Sequence, residues 1–110
     1  MTLSEFRTAI VETTPPEDLD LPLRALWLDA LGDWNGAHRL AQNGEGNPEC
    51  DWVHAYLHRK EGDTANAGYW YRRSGKPMST KTTGAEWDEI ADSLLRVTAI
   101  NRTAINRTVA

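Results

Sequence analysis

Apolar residues recur along this chain at steps of three and four, and the polar residues between them fall where helices start and stop. Leu3, Phe6 and Ile10 make a first narrow stripe, the spacing of one helix face. Thr2 and Glu5 form a capping-box signature at its start, and Pro15-Pro16 stops it. Leu23, Leu26, Trp27, Ala30 and Leu31 follow the i, i+3, i+4, i+7, i+8 template behind a cap at Asp20, and Gly32 breaks that helix. Asp33 caps a third helix with Trp34, Ala37, Leu40 and Ala41 pointing inward. Asn47-Pro48 opens a fourth, which runs to about Glu61 around Val53, Tyr56 and Leu57. Gly62 breaks it, and Asp63 caps a fifth through Arg73. From Ser74 to Thr83 the chain reads as loop. Thr83 and Glu86 then read as a second capping box ahead of Trp87, Ile90, Ala91, Leu94 and Leu95. No segment reads as a strand, so an all-α chain is predicted.

The pattern also repeats. Gly32-Asp33 returns as Gly62-Asp63 with a period of 30 residues, Ala25 returns as Ala55, and Ala37 as Ala67. A fixed period holding one helix–turn–helix is the mark of stacked α-hairpins. The predicted architecture is therefore antiparallel hairpins at about 20–43 and 47–74, closed by a capping helix at about 83–96. A terminal helix of this kind covers the apolar face that the last hairpin leaves open. Residues 1–96 form one domain in this reading, and 97–110 form a mobile tail, since Ile100-Asn101-Arg102-Thr103 and its copy at 105–108 are polar and threonine-rich.

The segment Glu61 through Gly75 resembles the second half of a tetratricopeptide-type repeat. Asp63 opens its helix, the small Ala67 follows four positions later and the aromatic Tyr71 eight positions later. Ala37 and Ala41 hold the same places in the earlier copy, with Ala41 departing from the aromatic. The period of 30 is shorter than that family's ~34. The chain from Leu3 to Leu95 is also similar to a group of short bacterial all-helical proteins, a likeness that supplies no activity. The repeat resemblance implies a non-catalytic scaffold that binds a protein or peptide on a helical groove.

A net charge of −4 and a pI near 5.3 argue against general nucleic-acid affinity. No apolar run is long enough for a membrane span, and no secretory pattern opens the chain. A single cysteine, Cys50, excludes an intrachain disulfide. A cytoplasmic protein, free to self-associate, is the expectation. Five tryptophans and three tyrosines against one phenylalanine favour rings with a polar handle. Trp, Tyr and Arg dominate interface hot spots, so Trp52, Tyr56 and Arg59, with Tyr69, Arg72 and Arg73 nearby, are the expected partner-binding face.

A different chemistry lies on the fourth helix. Asp51, His54, His58 and Glu61 are spaced by three, four and three, which places them in one stripe at about 100° per residue. Two histidines at i, i+4 can ligate one divalent metal, with a carboxylate one turn away to orient them. His38, on the preceding helix, is the candidate third imidazole. The zinc-hydrolase motif is absent because Ala55, not Glu, follows His54. The alternative to a scaffold is thus a small metal- or ligand-binding enzyme or sensor. In the structural alternative the same imidazoles are packed polar groups stacked on Tyr69, Trp70 or Tyr71.

Overall fold

A computed structural model describes the backbone of residues 1–109 and the side chains of residues 1–98. It contains six helices: α1 (Leu3–Glu12), α2 (Leu21–Ala30), α3 (Trp34–Asn43), α4 (Pro48–Lys60), α5 (Thr64–Ser74) and α6 (Thr83–Val109). No strand occurs among the described residues. The backbone of α6 thus continues beyond Arg96. The side chains of residues 99–110, and with them the expected mobility of the tail, lie outside the described residues.

The two Gly-Asp corners are built alike. Gly32 and Gly62 take φ of +87° and +91°, a region that only glycine enters without a Cβ penalty. Each corner closes with an aspartate N–H donating back into the preceding helix, Asp33 to Leu28 O and Asp63 to His58 O, both at 2.9 Å. The aspartate side chains then cap the next helix, accepting from Gly36 N at 2.9 Å and from Asn66 N at 3.2 Å. These caps satisfy donors that a helix start leaves orphaned. As a result α2 packs on α3 and α4 on α5, and α3 also packs on α4. Ala25, Ala37, Ala55 and Ala67 are fully buried, small enough for the backbones to approach.

The outer helices close the core. Phe6 of α1 meets Trp27 edge-on at 5.7 Å and stacks on Trp87 at 5.9 Å. The Trp87 indole N–H donates to Leu26 O at 3.0 Å, so a buried ring keeps its one donor paired. Thr2 and Glu5 form the expected capping box.

Two cap expectations are corrected. Asp20 makes no side-chain cap bond to α2; its carboxylate accepts from Thr98 Oγ1 of α6 at 3.2 Å. The cap of α6 is Thr82 rather than Thr83, its Oγ1 accepting from Ala85 N at 3.2 Å. Glu86 does not reach back to the cap. It is buried to 1% exposure, where it accepts from Arg59 Nη1 at 2.9 Å and from the Tyr71 hydroxyl. Arg59 also donates to Lys81 O. A second buried carboxylate, Asp29, accepts from Tyr56 OH at 2.6 Å and Lys60 Nζ at 2.9 Å. These carboxylates tie α4 to α5 and α6, and α4 to α2. Among the described residues, no helix is long and apolar enough to cross a membrane.

Candidate metal centre

The Gly32-Asp33 corner sets the phase of α3, so that Trp34 and His38, one turn apart, face α4. On α4, His54 and His58 stand one turn apart and look back. The three imidazoles converge: one ring nitrogen from each of His38, His54 and His58 falls within 4.8 Å of the others. His38 and His54 approach Nε2 to Nε2 at 3.0 Å. Two imidazole nitrogens on one tetrahedral zinc, each about 2.0–2.1 Å from the ion, sit about 3.3 Å apart. The observed pair is within a few tenths of an ångström of that geometry.

Aromatic rings wall the cluster. Trp34 stacks on His38 with centroids 4.9 Å apart and 8° between planes, and its edge meets His58 at 5.9 Å. Its indole N–H donates to Leu57 O at 2.9 Å, which pins the ring across the α3–α4 interface. Trp70 of α5 stacks on His54 at 3.8 Å. The Arg73 guanidinium lies 5.1 Å over the Trp70 ring.

Burial and neighbouring charge favour the neutral form of His54 and His38. His54 is 1% exposed, and its pKa is pushed down to about 3 by burial first and then by the neighbouring His38, His58 and Arg73. The His38 pKa is also lowered, mainly by burial and by the charge of His58, with Glu61 opposing. Neutral imidazole is the form that ligates a metal, so no proton has to be displaced from these two rings at neutral pH. His54 Nδ1 is buried with no hydrogen-bond partner among the described residues. At the mouth, His58 Nδ1 lies 2.7 Å from Glu61 Oε1. This carboxylate–histidine contact is the kind that fixes ring orientation and raises ligand basicity in metal sites.

Asp51 does not join the site. It lies seven residues before His58, about 10 Å of helix rise, and its buried carboxylate accepts from Gly46 N at 3.3 Å in the α3–α4 turn. The stripe of four therefore divides into a turn-bracing Asp51 and a converging His54, His58 and Glu61. Trp34, which the periodicity marks only as an inward apolar residue, is part of the centre; its place four residues before His38 was the available signal.

The expected partner face is taken apart by burial. Trp52 and Tyr56 are 6% and 2% exposed, and Arg59 is held by the Glu86 carboxylate. The Tyr56 hydroxyl and the Arg59 guanidinium are used internally, on Asp29 of α2 and Glu86 of α6. Tyr69, Arg72 and Arg73 remain exposed, with Arg73 donating to Tyr69 OH at 3.1 Å and Glu45 at 3.0 Å. Cys50 is buried, and its thiol is pushed up to about 11 by burial and by Asp51, Glu49 and Asp20. It has neither the exposure nor the thiolate character of a nucleophile. No family model, curated protein or solved structure matches this chain.

Proposed function

We propose that this chain is a metal-binding helical domain, holding one divalent transition ion on His38, His54 and His58. The observation that carries the reading is the convergence of one nitrogen from each imidazole within 4.8 Å, with two of the rings kept neutral by burial. An all-nitrogen set suits zinc, copper, nickel or iron and disfavours magnesium and calcium, which require oxygen ligands. Three protein ligands leave a coordination position for water or a small ligand. Glu61, bonded to His58, would act as the orienting carboxylate. Chelator-stripped protein should take up zinc or nickel at one ion per chain in calorimetry, and cobalt should give the visible absorption of a low-coordinate nitrogen site. His38→Ala should weaken uptake at least about tenfold, as ligand-shell losses do. Absence of stoichiometric uptake, with unchanged thermal stability, would leave the histidines as an imidazole–indole core and remove the proposal.

A second reading concerns the scaffold. The like-built corners at Gly32-Asp33 and Gly62-Asp63 support a short tetratricopeptide-like stack, and such stacks bind peptides. The surface left for that task is Tyr69 with Arg72 and Arg73, which suits acidic partner side chains. Replacing Tyr69 and Arg72 with Ala should abolish capture of any partner that uses this face while leaving stability within about 0.5 kcal/mol, as for exposed positions.

A further inference from the structure

The centre straddles the seam between the hairpins, and this has a consequence for α3. His38 belongs to the first hairpin; His54 and His58 belong to the second. The only fully buried side chains of α3 are Ala37 and Ala41, whereas nine consecutive residues of α4, from Cys50 to His58, are buried. Alanine hides little apolar area, and a ten-residue helix carrying Asn35 and Gly36 has weak intrinsic propensity. Larger side chains of α3, Trp34 and Leu40, are only partly buried. Much of the grip of α3 on α4 therefore comes from the Trp34 and His38 rings lying against His54, His58 and the Leu57 carbonyl. Elements with so little buried apolar contact open at lower free energy than the rest of a fold.

We infer that metal binding acts as a clasp, ordering α3 against α4, so that this helix is the metal-responsive element of the protein. The inference rests on the metal-binding reading above. An ion that binds only when His38 is docked stabilises the docked state by mass action. The opened state keeps the His54–His58 pair but loses a ligand, so its affinity is lower and the equilibrium shifts toward closure.

Hydrogen–deuterium exchange on the full chain tests this, with zinc as the probe and calorimetry alongside to report binding. In stripped protein, the amides from His38 to Asn43 should exchange faster than those from Val53 to Leu57. With zinc at a hundredfold excess over its dissociation constant, α3 exchange should slow by up to about 100-fold. In His38→Ala, a residual weaker site on α4 should leave α3 exchange unresponsive to zinc. Zinc bound with α3 exchange unchanged would overturn the clasp while leaving the metal site standing. So would α3 amides already as protected as those of α4 in stripped protein, or an α3 response that survives His38→Ala. No zinc uptake in the wild type would remove the metal reading and the clasp together.

Discussion

Replacing Glu86 separates what its position in the sequence suggests from what it does in the fold. As the third residue of a capping box, Glu86 would contribute about 0.5–1 kcal/mol, with its energetic partner at the helix start. In the structure it is an almost fully buried carboxylate holding the Arg59 guanidinium and the Tyr71 hydroxyl. Glu86→Ala strands both. A buried hydroxyl left unpaired costs about 1–3 kcal/mol, and the Tyr71 pKa, raised first by burial and then by its bond to Glu86, shows that this hydroxyl stays a neutral donor. Arg59 keeps 21% side-chain exposure, so water recovers part of its loss. Together these give about 3–4 kcal/mol, near the lower end of the range for breaking a buried pair. Urea denaturation at pH 7 of wild type, Glu86→Ala, Arg59→Ala and the double variant measures it. The coupling between the two sites should exceed about 1 kcal/mol, above the 0.2–1 kcal/mol of exposed pairs. A Glu86→Ala loss below about 1 kcal/mol with no Arg59 coupling would refute the buried-network argument and restore the cap.

Three further outcomes follow from the same geometry. Because the folded His54 pKa lies near 3 against an ordinary 6.5, the unfolded chain binds the proton first as pH falls, and stability drops between those values. At about 1.4 kcal/mol per unit, metal-free wild type should lose about 2 kcal/mol on this account between pH 6.5 and 5; His54→Phe, which can keep the stack on Trp70 but cannot titrate, should lack that part of the slope, and identical slopes would show His54 to be solvated. Cys50 should resist a thiol-specific disulfide reagent at pH 8 until denaturant is added, whereas rapid native labelling would contradict its burial. Gly32→Ala and Gly62→Ala should each cost about 1–2 kcal/mol for forcing a Cβ into left-handed backbone, since open space surrounds both positions and only the backbone term acts; clearly unequal losses would mean the two corners are not equivalent.

Helix positions were legible wherever a local rule decides them. The Asp33, Asn47 and Asp63 caps, the Gly32 and Gly62 breaks and the three-and-four apolar spacing all act within a single turn of chain. The His54–His58 stripe was visible for the same reason, because residues four apart on a helix are neighbours whatever surrounds them. Other features depended on which helices meet. Glu86 carries the same local pattern whether it caps α6 or is buried beneath Arg59. Trp52, Tyr56 and Arg59 have the composition of an interface, and it is the packing of neighbouring elements on α4 that turns them inward, with Tyr56 on Asp29 of α2 and Arg59 on Glu86 of α6.

The amino-acid pattern alone therefore determined that this chain forms helices, where they turn, and that two of the turns are copies, since those are consequences of backbone sterics and of periodic burial. Tertiary structure decided the chemistry. It brought His38, 16 residues away in sequence, to within bonding distance of His54. It enclosed the imidazoles between Trp34 and Trp70, and it left Asp51 outside. Convergence of side chains from separate helices depends on crossing and rotation at the α3–α4 interface, quantities that arise from packing the whole core and are written in no single segment.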